Sequence, residues 1–373
     1  MKKLILVANV SKEHIRKFYI PFIELLQQNG WQVDVACRMD VPVPECDHAY
    51  DLPCDRNPFR GGIAKSVKIL KGILRENDYD LLVCSTVVGS IVARLAASAF
   101  REKGLKVIYM CHGLHFFPGA SVSRWVMGYP MEKFLAPKTD IIIITNDTDL
   151  DTAKKYLHIP IIEKSHSMGV NLSRFRGAAL SDSERAEQRK AFGLAPDDFV
   201  LTYVAEIIEN KNQTMLLEAF ETVRKAVPNA KLMLIGPEHD GGTLRNLIES
   251  KGLQDEVLLL GWRSDVPTLL HLADVYVASS KSEGLGLNLI EAMACNLPVV
   301  ATRNRGHAES VIHGETGFLV DVNDSEAMAA CILRIHDSAE RRNTITDRAQ
   351  QEIEKFGTEA AIKELVQMVV RHA

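Results

Sequence analysis

Two hydrophobic patterns alternate along the chain. Short apolar runs recur between longer segments in which apolar residues return every three or four positions. The first pattern is typical of strands buried on both faces, and the second is typical of amphipathic helices. Because the two patterns alternate throughout, the sequence predicts an α/β protein with parallel sheets and crossover helices.

The predicted strands form two sets separated near residue 170. Those of the first set are 3–9, 32–37, 48–52, 79–85, 105–111 and 140–145, and those of the second are 200–204, 231–235, 257–260, 274–278 and 298–301. Helices are predicted in the first half at 15–29, 62–76, 88–103, 123–135 and 148–156. The rhythm predicts domains at 1–170 and 171–357, with a final helical segment, 358–373, that can pack on either domain and is assigned to the first.

Composition supports a globular chain without a membrane span. The 373 residues are 46% hydrophobic and 25% charged, which is ordinary for two globular domains. No apolar run reaches the roughly 18 residues of a membrane span, and the N-terminal apolar run is too short for a signal peptide. Seven cysteines without a C-x-x-C pair predict free thiols in a reducing compartment. The sequence therefore predicts a cytoplasmic protein.

The charge distribution favours an anionic surface over nucleic acid. The net charge of −4 argues against a nucleic-acid binder. Residues 1–170 hold 22 basic and 18 acidic residues, a balance of +4, whereas residues 171–373 hold 22 and 30, a balance of −8. Predicted helix 62–76 places Lys65, Lys68, Lys71 and Arg75 away from its apolar arc. From this helix alone, a solvated basic face is favoured, and peripheral contact with the inner face of an anionic membrane is the alternative.

Histidines follow two predicted strands of the first half. His14 lies in a loop without glycine, which disfavours a dinucleotide fingerprint. His112 follows strand 105–111 and shares its loop with His115 and Phe116. Since the carboxyl ends of parallel strands share one edge, we expect His14 and His112 at a binding site, with His115 and Phe116 in its walls. A surface histidine and the packing of an aromatic loop remain alternative interpretations.

Three aspartates at 147, 149 and 151 resemble a D-x-D metal motif. They also follow strand 140–145 immediately and begin a predicted helix, where capping and first-turn acids are common. The helix-start interpretation is favoured, and neither a metal nor another cofactor is predicted.

A glycine-rich turn follows strand 274–278 and opens a helix. The first N–H groups of a helix lack intrahelical partners, so they favour a phosphate. Two carboxylates, Glu283 and Glu291, lie in the same stretch, and carboxylates accept hydrogen bonds from vicinal hydroxyl groups. A nucleotide sugar carries both phosphate and hydroxyls.

Other strand-end loops of the second half add to this predicted site. Asn210 and Lys211 follow strand 200–204, and Lys211 would place a positive charge beside a phosphate. Trp262 and Arg263 follow strand 257–260, where the indole offers an aromatic surface to a base.

The motif Glu283-Gly-Leu-Gly-Leu-Asn-Leu-Ile-Glu291, with the following residues 292–302, resembles family 4 of the retaining glycosyltransferases. Residues 169–171 and 316–320 match as well. The resemblance implies the GT-B fold, in which two Rossmann-like domains face each other across a deep cleft, and a metal-independent enzyme. Residues 14–21, 112–117 and 206–213 are similar to bacterial enzymes that add hexosamines to lipid-linked sugars in exopolysaccharide, capsule or glycan assembly.

The resemblance also implies roles for individual residues. Glu283 would lie by the donor sugar, Glu291 by the ribose, Lys211 by the diphosphate and His112 by the reaction centre. The remaining implied donor contacts are Gly284, Leu285, Gly286, Leu287, Asn288, Asn210, Trp262, Arg263 and Glu206. The acceptor side is implied at His14, His115 and Phe116. The resemblance also favours peripheral contact of the basic helix 62–76 with the inner face of an anionic membrane.

Glu206 departs from the family pattern, which has a diphosphate-binding arginine there. Arg263 and Arg303 are candidates for the missing charge.

Taken with the residues, the resemblance implies a retaining transferase that moves a hexose or N-acetylhexosamine from a UDP-sugar to a lipid-linked saccharide. A UDP-sugar epimerase of related architecture is one alternative. A catalytically silent scaffold that binds sugar nucleotides is another, and Glu206 is the feature that favours it.

Overall fold

The chain folds into two compact units in a computed structural model that describes residues 1–55 and 61–373. Unit 1 comprises Met1–Gly169 and Thr358–Ala373, and unit 2 comprises Val170–Gly357. Each unit contains a parallel sheet with helices on both faces. The predicted α/β class is confirmed.

Unit 1 has the predicted alternation of strands and helices. Its strands are β1 (Lys3–Val10), β2 (Gln32–Arg38), β3 (Ala49–Asp51), β4 (Leu81–Ser85), β5 (Lys106–Cys111), β6 (Ile141–Ile144) and β7 (Ile161–Lys164). Its helices are α1 (Ile20–Gln28), α2 (Ile63–Glu76), α3 (Val87–Ala97), α4 (Val122–Leu135), α5 (Asp147–Tyr156) and, at the C-terminus of the chain, α15 (Thr358–Arg371). Among the described residues, the sheet order is β3-β2-β1-β4-β5-β6-β7.

Alternating side chains of the strands divide the core of unit 1 into two layers. Ile5 and Leu82 face the layer that contains α2, α3 and α4, whereas Leu4 and Leu81 face the layer that contains α1 and α15. The C-terminal helix α15 therefore packs on unit 1, through Ile362, Leu365, Val366 and Val369.

Unit 2 repeats this architecture. Its strands are β8 (Phe199–Val204), β9 (Ala230–Ile235), β10 (Val257–Leu259), β11 (Val275–Ala278), β12 (Val299–Thr302) and β13 (Phe318–Val320). Its helices are α6 (Leu172–Arg176), α7 (Asp182–Ala191), α8 (Gln213–Ala226), α9 (Thr243–Ser250), α10 (Val266–Leu272), α11 (Leu287–Ala294), α12 (His307–Ser310), α13 (Ser325–His336) and α14 (Ala339–Glu352). The sheet order among the described residues is β10-β9-β8-β11-β12-β13.

Two predictions of local structure were incomplete. The segment predicted as one helix over 15–29 begins as a π-helix at Ser11–Tyr19 and becomes α-helical only from Ile20. Pro21 has no N–H to close an α-helical turn, which is compatible with the wider turn before it. Strands β7 and β13 were not predicted. In β7, a glutamate and a lysine interrupt the apolar run.

A buried ion pair fixes α4 to α3. Arg94 is fully buried, and its guanidinium donates to both carboxylate oxygens of Glu132, at 2.7 and 3.1 Å.

Among the described residues, no helix combines the length and apolar character needed to cross a membrane.

Replacement of Glu132 by alanine is expected to lower the free energy of unfolding by about 3–5 kcal/mol, because it leaves a buried guanidinium without its counter-charge. Chemical denaturation monitored by circular dichroism measures this change. Glu102→Ala, at an exposed carboxylate, is the matched control and should change stability by less than about 0.5 kcal/mol. Equal effects of the two substitutions would contradict the role of the ion pair.

Candidate active site

The site in unit 2 lies where its sheet order reverses. Strands β8 and β11 are neighbours in the sheet, and their crossover helices leave in opposite directions. In open α/β sheets, ligands bind outside the carboxyl ends of the strands at such a point. The loop after β8 carries Lys211, and the loop after β11 carries Glu283.

Lys211 and Glu283 form an ion pair at this position. The Lys211 Nζ atom lies 2.6 Å from the Glu283 Oε1 atom, and the two side chains are 21% and 17% exposed. The structure thus brings together the two charged groups that the sequence placed at the diphosphate and at the donor sugar.

Hydrogen bonds between the two loops hold this pair in place. The Asn210 side chain donates to the Ser282 carbonyl at 2.9 Å, and the Lys281 N–H donates to the Asn210 carbonyl at 2.8 Å. The Ser279 hydroxyl donates to the Lys211 carbonyl at 2.8 Å. The Asn210 side chain, predicted as a donor contact, therefore also stabilises the loops through one of its amide N–H groups.

The glycine-rich turn has the predicted form. Gly286 caps α11, and Glu291 lies half-buried on the first turns of that helix. Together with burial, its carboxylate raises the pKa of Cys295 to about 12. Asn288 donates to the Val204 carbonyl at 3.3 Å, so this predicted donor contact also links α11 to the end of β8. Gly284 and Leu285 belong to the turn, and Leu287 is the first residue of the helix.

A third loop, in which sequence reasoning singled out only Arg303, supports Glu283. It follows β12 and carries Asn304, Gly306 and His307. Asn304 donates to the Ser280 carbonyl at 3.0 Å and accepts from the Gly306 and His307 N–H groups, each at 3.0 Å. A Cβ atom on Gly306 would lie 2.8 Å from the backbone of Glu283, so the loops meet more closely than another residue would allow.

His307 is buried beside the glycine-rich turn. Its Nδ1 atom donates to the Thr302 carbonyl at 2.8 Å, which leaves Nε2 as the acceptor of the neutral ring. Burial lowers the pKa of His307 to about 4, so the ring is neutral at pH 7. Within the described part of the chain, this Nε2 atom is buried without a hydrogen-bond partner.

The remaining predicted donor contacts are more exposed. Glu206 is exposed after β8, and Trp262 is 73% exposed after β10. Arg263 donates to both carboxylate oxygens of Asp265, at 2.8 and 2.5 Å, and the Arg303 Nε atom lies 3.9 Å from Asp321. Both arginines proposed to replace the missing diphosphate contact thus have carboxylate neighbours.

In unit 1, three strand ends bring His14 and His112 together. His14 lies on the π-helix after β1, and its Nε2 atom is 2.8 Å from the hydroxyl of Ser85, at the end of β4. His112 follows β5, and its ring centroid lies 5.8 Å from that of His14. A π-helical turn at a functional site is a recurrent arrangement.

Two hydroxyl groups orient the His112 ring. Its Nε2 atom lies 3.0 Å from the Tyr19 hydroxyl, and its Nδ1 atom lies 3.4 Å from the Ser167 hydroxyl. Burial lowers the pKa of His112 to about 4. The ring is therefore neutral at pH 7 and held in a defined orientation. Tyr19, Ser85 and Ser167 carried no motif that the sequence could reveal.

The structure corrects the prediction for Phe116. This side chain is fully buried and contacts Trp125 and Tyr129, with ring centroids 5.3 and 5.4 Å apart, so it is a core residue and does not line an acceptor site. His115, one position earlier, is exposed.

The aspartates at 147, 149 and 151 belong to the start of α5. Asn146 is the N-cap residue and accepts from the Asp149 N–H at 2.8 Å. The buried Asp149 carboxylate accepts from the Leu114 N–H at 3.0 Å and thereby supports the loop that carries His112. Among the described residues, no cluster of three or more candidate ligands for a metal occurs.

The two Rossmann-like units have the architecture of the GT-B fold, and comparison with known proteins establishes the family as one of glycosyltransferases. Residues 184–352 match the family described as glycosyl transferases group 1, and residues 3–146 match the family described as glycosyl transferase 4-like. EpsD of Bacillus subtilis, which carries the provisional name of a glycosyltransferase, is 36% identical over 98% of this chain and 95% of its own length. The chain belongs to this glycosyltransferase family.

Two further proteins extend the comparison. An Escherichia coli enzyme, UDP-Gal:alpha-D-GlcNAc-diphosphoundecaprenol alpha-1,3-galactosyltransferase, is 26% identical over 89% of this chain and 86% of its own length. Anabaena HepE, solved in complex with UDP and glucose, has a TM-score of 0.79 over 100% of both chains at 19% identity. At this low identity, the likeness to HepE shows a shared fold.

Proposed function

We propose that this glycosyltransferase moves a hexose or N-acetylhexosamine, with retention at the anomeric carbon, from a UDP-sugar to a lipid-linked saccharide in cell-surface polysaccharide assembly. The Lys211–Glu283 ion pair at the switch point of unit 2 carries this proposal. Support for the donor and acceptor classes comes from the E. coli relative, whose name gives a UDP-sugar and a diphosphoundecaprenol acceptor, and from the UDP bound by HepE.

The two charges of the pair suit two neighbouring parts of a donor. Lys211, with the N-terminal N–H groups of α11, stabilises the charge that develops on the departing diphosphate. Glu283 stabilises positive charge on the sugar. The acceptor hydroxyl attacks C1 from the leaving-group face, the C1–O bond to the diphosphate breaks, and the hydroxyl proton passes to the departing phosphate oxygen. No metal and no covalent glycosyl-enzyme intermediate takes part, unlike in many retaining hydrolases.

Arg305 is proposed as the second positive charge at the diphosphate in place of the exposed Glu206. It precedes Gly306, whose backbone contacts that of Glu283, and it is half-buried.

His307 is proposed to accept a hydrogen bond from a donor hydroxyl. A neutral ring with a buried acceptor atom next to Gly286 has the chemistry for this contact.

His112 is proposed to contact the donor near the reaction centre as a neutral ring. His14 and His115 are proposed on the acceptor side, Glu291 at the ribose, and Trp262 at the base.

Gly306→Ala is expected to lower kcat about tenfold to a hundredfold, because its Cβ atom would displace the Glu283 backbone, and small displacements of catalytic groups are costly. Steady-state kinetics with the transferred sugar measure this loss. Gly72→Ala is the matched control, since no atom lies within 4 Å of its added Cβ atom. Wild-type kcat in Gly306→Ala would contradict the close contact.

A thermal-shift screen against nucleoside diphosphate sugars tests the proposed donor. A ligand at 100 times its Kd should stabilise the protein by about 2.7 kcal/mol. UDP-sugars should raise the Tm, and Lys211→Ala should abolish the rise. Equal shifts with all nucleotides, or none with any, would contradict a UDP-sugar donor.

Product analysis separates the transferase from its alternatives. An epimerase would convert the donor without an acceptor, and a silent scaffold, which the exposed Glu206 favours, would bind the donor without turnover. The proposed transferase produces a glycosylated lipid only when donor and acceptor are both present.

A further inference from the structure

Helix α4 is apolar on two faces, of which one packs on unit 1. Trp125 and Tyr129 lie against Phe116, and Leu135 is fully buried. These residues share one side of the helix, since at 100° per residue they fall within an arc of about 120°. An ordinary surface helix would be polar on its opposite side.

The opposite side of α4 is instead apolar and exposed. Five large apolar side chains of this helix are exposed, by 43% to 78%: Val122, Val126, Met127, Met131 and Phe134. At 100° per residue they fall within one half of the helix circumference. The described residues contain only four other large apolar side chains with comparable exposure. A concentration of this kind marks an interaction surface.

Basic residues border this apolar face on both sides. Arg124 and Lys133 are exposed at its two edges, and the Lys138 Nζ atom lies 4.5 Å from the centroid of the Phe134 ring. The single acidic residue of the helix, Glu132, turns inward to the buried Arg94. The outward face of α4 therefore combines apolar side chains with positive charge and carries no carboxylate.

The helix α2 belongs to the same layer of unit 1. Leu70, Ile73 and Leu74 of α2 join the core cluster against which Trp125 and Tyr129 pack. Its residues Lys65, Lys68 and Arg75 are exposed, and Lys71 is half-buried. Positive charge on this layer is thus not confined to α4.

We propose that the outward face of α4 docks on an anionic lipid surface, with its apolar side chains among the acyl chains and with Arg124 and Lys133 at the headgroups. The helix has 14 residues, about 21 Å at 1.5 Å per residue, and is too short to span the roughly 30 Å hydrocarbon core. It would lie in the plane of the interface, as amphipathic helices with basic edges do. That the protein meets its lipid-linked acceptor at this membrane rests on the proposed function. The docking itself can be measured without turnover.

Vesicle binding by the full chain tests this proposal. The protein is sedimented with phosphatidylcholine vesicles that contain 0% or about 30% phosphatidylglycerol, and its partition coefficient on the vesicles is measured. The anionic lipid gives the second kind of vesicle a negative surface potential. Val126→Glu and Phe134→Glu are expected to lower it at least tenfold on anionic vesicles, and Met127→Gln by a smaller factor. Ile312→Glu, at an apolar side chain of unit 2 that is 45% exposed, is the matched control and should bind as the wild type does.

Each outcome of the experiment has one interpretation. Wild-type binding that requires phosphatidylglycerol and is lost in the α4 variants supports the proposal, provided that their Tm and their UDP-sugar binding match the wild type. Absence of wild-type binding, or equal binding by wild type and α4 variants, would overturn it. So would a wild-type dimer that dissociates in the α4 variants without any vesicle binding, because the face would then contact a second copy of the chain. Loss of turnover with vesicle binding intact would contradict the proposed function alone.

Discussion

Lys211→Ala is expected to lower kcat/KM for sugar transfer by about a hundredfold to a thousandfold, the effect of removing one preorganised charge from a developing anion. The ammonium group lies 2.6 Å from Glu283 Oε1 and the Lys211 side chain is only 21% exposed, so bulk water cannot readily replace this charge. Binding of UDP alone should weaken as well, because the diphosphate keeps its charge in the product.

A second ion pair in the same two loops provides the control. Lys281 Nζ lies 3.1 Å from Glu209 Oε1, and the Glu209 side chain is 93% exposed. Lys281→Ala removes a lysine that lies two residues before Glu283 in the loop after β11. We expect kcat/KM to change less than about twofold, because exposed ion pairs contribute little. Similar losses in the two lysine variants would show that general surface charge, and not the Lys211 position, governs the reaction.

Glu283→Gln is expected to lower kcat by about a hundredfold or more while KM for the donor changes little. The amide preserves the size of the side chain but removes the negative charge that is proposed to stabilise the sugar in the transition state. A loss confined to kcat indicates an interaction made chiefly in the transition state. Steady-state kinetics at varied donor concentration separate the two parameters.

Glu209→Gln makes the same chemical change at the exposed pair and should leave kcat near the wild-type value. If Glu283→Gln retained nearly full transfer, the role of Glu283 at the donor sugar would be wrong. A rise in KM with unchanged kcat would contradict it as well, because it would assign Glu283 to ground-state binding.

The sequence predicted the features that depend on local pattern. Buried strands and amphipathic helices have distinct periods, so the α/β class and most element positions followed directly. The glycine-rich turn between Glu283 and Glu291 is a contiguous motif, and Lys211 follows a strand that neighbours β11 in the sheet. That neighbourhood explains why residues 72 positions apart form an ion pair.

Features that depend on contacts between distant loops were not predictable. Gly306 is one glycine among 23 in the sequence, and only the approach of its backbone to Glu283 makes it unusual. The buried acceptor of His307 depends on a hydrogen bond between Nδ1 and the Thr302 carbonyl. Tyr19 reaches His112 across 93 positions.

Exposure was equally hard to derive from the sequence. Phe116 follows two candidate site histidines, but it contributes to the core because Trp125 and Tyr129 of α4 fold over it. The same packing turns Val126 and Phe134 outward. Helix α4 is apolar around most of its circumference, so hydrophobic periodicity could not show which side is buried.

Transfer of labelled sugar by the purified chain tests the central claim most directly. Wild type, Glu283→Gln and Glu209→Gln are each incubated with UDP-sugars labelled in the sugar, with and without a diphosphoundecaprenol-linked saccharide, and label is measured in the lipid fraction. We expect acceptor-dependent transfer from a UDP-sugar by wild type and Glu209→Gln, with a loss of about a hundredfold in Glu283→Gln. Conversion of the donor without an acceptor, or donor binding without any label in lipid, would contradict it.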